Sequence, residues 1–401
     1  MQLLKYQNRS PFHWPVRSAL LLLLLIQFPR AQCDWNSDGD INIHDVVMTV
    51  EYILNPDQIF SAAFQTNPFY GFAPLTVTFL DHSVTGELIP EYLWDFGDNS
   101  PVSTAHNPQH IFQTPGNFTV TLTITADDLI STTSQTVVVL EMPEFDFCLV
   151  PSGSFTQGEG DDLVDLNHDY SIMTYPVTTN QYIHYLNQAI QAGVAFLTDT
   201  SVVQYYPGDE YHNPRFIDVI DLDDPDCTIL WYSNGFHHLP GYGPHPVTEV
   251  SWFGAALFAD FYGLSLPDDA HWEKAARGDT GWDYPWGDNL DGSRANYHDS
   301  GDPWDNDTTP VGFYSGQIYQ DFQTTDSPSP YGAYDMAGNV WEWTLNWYDP
   351  DDFELGKCIR GGAWWYHAIQ SPNDLRSWYR YGDNPFGGGR AVGFRCIDII
   401  P

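Results

Sequence analysis

Hydrophobic and polar positions follow three successive textures along the chain. Val46, Val47, Val50, Ile53 and Leu54 recur at helical spacing and predict a short helix. From about Ala62 to Glu141 the period falls to two. Residues 75–79, 117–125 and 136–140 alternate β-branched or aromatic side chains with polar ones, and Pro, Gly and Asn separate the runs. That alternation predicts a half-buried antiparallel sandwich, with Trp94 and Phe96 in its core and Gly97-Asp98-Asn99 turning the chain. Beyond Phe147 the helical period returns three times: through Tyr182, Leu186 and Ile190, after Ser251 through Ala255, Phe258 and Tyr262, and from Leu266 towards Gly278. Past Gly281 the chain is mostly Gly, Pro, Asp and aromatic residues, so little regular structure and a core of Trp and Tyr rings are expected.

With 401 residues the chain is long enough for two or three domains, and 42% hydrophobic and 16% aromatic content argues for folding throughout. Charge narrows the partners. Lys and Arg total 14 against 53 Asp and Glu, a net charge of −39, and no basic residue occurs between Ala31 and Pro214. Such a field repels phosphate backbones and anionic headgroups, so nucleic acid is excluded as a partner and divalent cations are favoured. Lys5, Arg9 and Arg17 precede an apolar run from Ala19 to Ile26 and then Pro29-Arg30-Ala31, the order of a signal peptide over residues 1–31. The run is too short for a permanent span and no second one follows. The mature chain is therefore expected to be secreted or displayed on the extracellular cell surface, with no membrane span. In that oxidising setting disulfides are allowed among Cys148, Cys227, Cys358 and Cys396, with Cys33 left over.

Candidate chemistry begins after the leader. Asp34, Asn36, Asp38, Gly39, Asn42 and Asp45 fall at positions 1, 3, 5, 6, 9 and 12 of an EF-hand-like loop, and Asp40 at position 7 supplies a backbone carbonyl. This block resembles a dockerin repeat, over residues 33–56. The resemblance implies calcium as the cofactor and raises a cohesin-like partner, although dockerins carry two repeats and one is found here. Residues 60–142 contain Tyr92-Leu-Trp-Asp-Phe-Gly-Asp98, His110-Ile-Phe and Thr114-Pro-Gly-Asn-Phe118, and resemble a PKD domain, an immunoglobulin-like all-β sandwich that acts as a spacer or interaction module.

Residues 144–401 carry Pro176-Val-Thr, Val250-Ser-Trp, Trp272-Glu273, Tyr284-Pro-Trp-Gly287, Pro310-Val-Gly312, Tyr334-Asp-Met-Ala-Gly-Asn-Val-Trp-Glu-Trp343, Arg360-Gly-Gly362 and Gly393-Phe-Arg-Cys396. In that order they resemble the formylglycine-generating-enzyme (sulfatase-modifying factor) family, whose fold is an α+β variant of the C-type lectin with little regular structure. The resemblance implies a calcium site at Asp335, Gly338, Val340 and Glu342, two carboxylates flanking two carbonyls, and a second at Asn296, Tyr297, Asp302 and Trp304. The oxidase chemistry does not carry over. Two cysteines that hold copper(I) in the family align with Tyr366 and Ser371, and neither a phenol nor a hydroxyl replaces a soft thiolate, so no copper is expected. Cys396 is assigned instead to a disulfide.

Aromatic residues and arginines occupy the stretch around the lost cysteines: Trp364, Trp365, Tyr366, Trp378, Tyr379 and Tyr381, with Arg376 and Arg390. Aromatic faces with arginines suit a glycan, peptide or protein ligand; internal packing and pairing with Asp is the structural alternative. The expectation is a noncatalytic calcium- and ligand-binding protein. A divergent protein-modifying oxidase and a dockerin-borne component of a polysaccharide-degrading complex are the other two readings.

Overall fold

The computed structural model describes residues 60–160, 162–304, 306–365 and 372–399, so the dockerin-like loop, the leader, Tyr366 and Ser371 lie outside the described residues. The chain divides into two compact units, one ending at Met142 and the other beginning at Pro143.

In the first unit the period-two runs become strands β1 (Phe64–Asn67), β2 (Tyr70–Phe72), β3 (Leu75–Asp81), β4 (Glu91–Asp95), β5 (Gln109–Phe112), β6 (Gly116–Ala126) and β7 (Leu129–Leu140). They form two sheets, ordered β1-β3-β5 and β2-β7-β6-β4. Alternation puts Val77, Phe79, Val120, Leu122 and Ile124 inward with Phe64, Phe112 and Trp94, all fully buried. Trp94 also satisfies its indole N–H on Ala105 O at 2.9 Å. Phe96 is buried and stacks on His110, and the turn after it is made by Gly97 and Asn99 in the left-handed region. A side chain at 97 would collide with the Thr119 carbonyl, which is why glycine stands there. The outer face of β6 and β7 carries a hydroxyl ladder, Thr121 to Ser134 and Thr123 to Thr132, where other sheets carry charge. No residue of this sandwich is Lys or Arg.

The second unit opens with β8 (Phe147–Val150), β9 (Gly153–Gln157), β10 (Asp162–Leu166) and β11 (Tyr170–Met173). Helix α1 (Thr179–Gln191) starts at a capping box, Thr178 and Gln181 each satisfying the other's backbone N–H. Strands β12 (Ala195–Leu197), β13 (Ser201–Tyr206) and β14 (Arg215–Asp221) form one sheet, and β15 (Ile229–Tyr232) pairs with β16 (Gly235–His238). Ser251 caps α2 (Trp252–Phe261) and Asp268 caps α3 (Asp269–Arg277), at the places that the sequence pattern predicts. After α3 come long loops, the pair β17 (Ile318–Tyr319) and β18 (Phe322–Gln323), and then β19 (Trp341–Trp347), β20 (Lys357–Arg360), β21 (Arg380–Asp383), β22 (Val392–Gly393) and β23 (Ile397–Ile399). The sheet β21-β20-β19-β22 carries the site described below, and β23 pairs with β11 to bring the end of the domain back to its start.

The expected disulfides are not formed among the described residues: Cys148, Cys227, Cys358 and Cys396 are free thiols. Each faces a different neighbour. Cys148 approaches Ile172 O, Cys227 approaches Ile229 O, Cys358 donates to Asp269 Oδ1 at 3.3 Å, and Cys396 is fully enclosed beside Met173. The disulfide assigned to Cys396 is therefore corrected to an enclosed, unpaired thiol.

Candidate functional site

The two segments with metal-type patterns meet in space. Gly338, with φ of +82°, packs against Asn296, whose carbonyl accepts the Asn339 N–H at 2.8 Å. Within the first segment the two carboxylates have different fates. Glu342 is fully buried and accepts from Arg395 through both oxygens at 2.7 Å, and from the Trp272 indole at 2.7 Å. Its charge is matched. Asp335 accepts one hydrogen bond, from Gly312 N at 2.6 Å. Burial pushes its carboxyl up to about 6, and nearby Glu342 adds to this while Gly312 and Arg395 offset part of it. A cation held by Asp335 with the Gly338 and Val340 carbonyls would relieve that carboxylate, so the segment fits calcium; Glu342 enters such a site already paired.

In the second segment the polar atoms serve turns. Asp302 accepts from Ser300 Oγ at 2.6 Å, Tyr314 OH at 3.0 Å and Trp304 N at 2.8 Å. The carbonyls of Tyr297 and Trp304 accept from Ser300 N and Asp307 N, and the Asn296 amide donates to Asp307 O. Each of the four residues thus has an internal partner.

The aromatic stretch separates into three places. Trp365, Tyr379, Tyr381 and Arg390 line one groove, a cavity of about 600 Å³ on the β19–β22 sheet. Strand alternation brings Tyr379 and Tyr381 to the same wall, where both stand about 6 Å from Trp341, at 6.2 and 6.1 Å between ring centroids. Arg390 lies 3.8 Å over the Trp365 ring and 4.9 Å over Trp364, and pairs with Asp226 at 3.4 Å. Trp364 is buried and lines a smaller cavity of about 170 Å³ on the other side of Arg390. Arg376 and Trp378 turn away from the groove: both hold Asp283, at 3.4 Å and 2.9 Å. For these two the internal-pairing alternative is what the structure shows.

Sequence reasoning missed Trp341, Glu354, Asp374 and Asp383 in this groove. Trp341 was hidden inside the Gly-Asn-Val-Trp-Glu motif, which reads as a metal pattern. It also passed over Asp224, Asp226 and Glu249, whose carboxylate oxygens lie within 4.8 Å of one another. Burial, followed by Asp224, Asp226 and Asp221, pushes the Glu249 carboxyl up to about 7. The run Asp221-Leu-Asp-Asp-Pro-Asp226 was the available signal, dulled by the abundance of acid in this chain.

No cysteine is among the described residues that line the groove. The two nearest in sequence are sealed in. Burial pushes the Cys358 thiol up to about 11 and the Cys396 thiol higher still. Below the sheet Arg360 joins Asp269 and Glu273, and Arg277 completes the buried ionic cluster on Glu273. These charges hold α3 to β20.

Comparison with known proteins identifies two domains. A PKD domain matches residues 73–140, and a sulfatase-modifying factor enzyme 1-like domain matches residues 132–400, a span that begins within β7. The chain is similar to the serine/threonine-protein kinase pkn1 of Chlamydia pneumoniae, 31% identical over 63% of this chain and 38% of that protein. It is similar also to the inactive C-alpha-formylglycine-generating enzyme 2 of Mus musculus, 35% identical over 38% of this chain and 48% of that one. The formylglycine-generating enzyme of Thermomonospora curvata is 33% identical over 38% of this chain and 55% of its own length. The chain thus spans 38% to 55% of the length of these relatives. Because the matched domain covers residues 132–400, the chain belongs to the sulfatase-modifying factor enzyme 1-like family and carries a PKD domain ahead of that domain.

Proposed function

We propose that the C-terminal domain is a noncatalytic, carbohydrate-binding member of its family, carried on an exported chain. One observation carries this reading: the groove is lined by Trp341, Trp365, Tyr379 and Tyr381 and by Arg390, with no thiol among its described lining. Aromatic faces stack on the C–H surface of a sugar ring, and Glu354, Asp374, Asp383 and Asn384 offer acceptors for its hydroxyls. Copper(I) oxidation does not fit these residues, since no cysteine occurs between Cys358 and Cys396 and soft thiolates are what copper(I) selects.

Calcium belongs to the same proposal, at Asp34–Asp45 and at Asp335 with Gly338 and Val340, with Asn296, Tyr297, Asp302 and Trp304 as a further set. Export through residues 1–31 supplies the calcium-rich setting in which such sites fill. The purified full chain is to be screened on a glycan and peptide array and incubated separately with copper(I), oxygen and a cysteine peptide. Glycan binding that Tyr381→Ala abolishes, with no aldehyde formed, supports the reading. Aldehyde above a metal-only control would establish the divergent oxidase instead, and binding confined to peptides would remove the carbohydrate assignment.

A further inference from the structure

Outside the groove, an acidic cluster lies between the loop after β14 and the segment leading into α2. We propose that Asp224, Asp226 and Glu249 bind a hard divalent cation of calcium size. Two of the three come from one loop. Asp224 is set there by the Asp226 N–H, which donates to its Oδ1 at 2.8 Å, and by the Cys227 N–H on its carbonyl. Glu249 arrives from the other side, its backbone in the left-handed region at φ of +60° and its N–H on Gly389 O at 3.2 Å. One carboxylate oxygen from each lies within 4.8 Å of the others.

A cluster of acids alone would mean little in so acidic a chain, but Glu249 is a separate observation. It is 5% exposed, and its carboxylate has no hydrogen-bond partner among the described residues. A carboxylate that receives no donor from the protein is balanced by a cation, a proton or water from the cavity it lines. Glu249 and Asp224 open on a polar cavity of about 240 Å³, which Asp218, Asp221, Ser201 and Ser251 also line. Among the described residues Arg390 is the one basic side chain paired with the cluster, at 3.4 Å from Asp226. Asp224 and Glu249, the other two carboxylates of the cluster, have no ion pair among the described residues.

The chemistry selects the ion. All donors are oxygen; the adjacent Cys227 thiol points to Ile229 O and no imidazole is in the group. That favours a hard cation over zinc or copper. Three carboxylates from two segments, with a cavity that admits water, suit the six to eight flexible ligands of calcium better than the strict octahedron of magnesium. The site shares no residue with the Asp335 segment.

Calorimetric titration of the chelator-stripped full chain with calcium chloride tests this. Asp224→Asn, Asp226→Asn and Glu249→Gln are each expected to lose one calcium equivalent, or to weaken it more than tenfold, while Asp335→Asn keeps it. Asp226 is exposed, so its variant decides the matter should the buried Glu249→Gln fail to fold. Equal stoichiometry and affinity in the parent and in folded Asp224→Asn and Asp226→Asn would overturn the proposal.

Discussion

Buried carboxylates in the C-terminal domain are matched at some residues and left unmatched at others. Glu342 is matched: Arg395 clasps it in a bidentate pair with both side chains fully enclosed. Glu342→Gln leaves that guanidinium without its counter-charge, and breaking one side of a buried pair typically costs about 3–5 kcal/mol. Urea unfolding of the domain should show a loss of that order, and a loss below about 1 kcal/mol would mean that water or a cation already screens Arg395. Asp335 is the contrasting case, half-buried with a single donor among the described residues. The Asp335–Glu342 motif was legible in the sequence, but the identity of Glu342's partner was not, because Arg395 lies 53 residues further on and only the fold brings it there.

His245 gives a pH dependence at the same scale. It is buried, with Nδ1 2.8 Å from Thr308 Oγ1, and burial lowers its pKa below the ordinary 6.5, partly offset by Asp307 and by the Thr308 backbone. The unfolded chain therefore binds this proton more readily than the folded one. Its contribution is fully present above pH 6.5 and is lost as pH falls from 6.5 through the lowered folded value. Melting of His245→Gln between pH 7 and pH 5 should fall less steeply than that of the parent; parallel curves would show that His245 titrates normally.

Secondary elements were legible where local chemistry fixes them. The helices begin at Thr178, Ser251 and Asp268 because each caps its first turn, and the sandwich strands follow period-two runs. The groove was legible only in part. Crowding of aromatics between 364 and 381 marked the region, yet which rings converge depends on strand facing: Tyr379 and Tyr381 share a wall, whereas Arg380 between them turns to Asp269, and Trp378 to Asp283. Loops impose the tightest constraint. Gly338 sits at φ of +82°, and a Cβ there would lie 2.2 Å from Asn296 O. Gly338→Ala combines a left-handed strain of about 1 kcal/mol with a backbone collision, so a loss of roughly 2 kcal/mol or more is expected in denaturant titration. A neutral outcome would mean that the loop carrying Asn296 yields freely.

The whole chain is built of two compact units that part between Met142 and Pro143, each with its own core. Scanning calorimetry should resolve two transitions, one reproduced by a fragment of residues 60–142. If calcium binds as proposed, only the C-terminal transition among these two moves up on its addition, by about 2.7 kcal/mol at a hundredfold excess over Kd. A single merged transition unaffected by chelator would contradict both the independence of the units and the calcium sites. The boundary was legible as a change of period, but the number of free thiols was not, since spacing alone says nothing of which sulfurs face one another.

The absence of Lys and Arg from the sandwich also decides how the molecule meets proteolytic enzymes. Trypsin cleaves only after these residues, and beyond Arg30 the first such site is Arg215, which opens β14. The intervening chain, sandwich included, offers that class of protease nothing to cut whether it is folded, frayed or fully open. Digestion in urea should therefore yield one long acidic fragment ending at Arg215, with the sandwich uncut by trypsin under native conditions too, while chymotrypsin, which finds Phe79, Trp94 and Phe112 only once the core opens, should cleave the sandwich in urea far faster than in buffer.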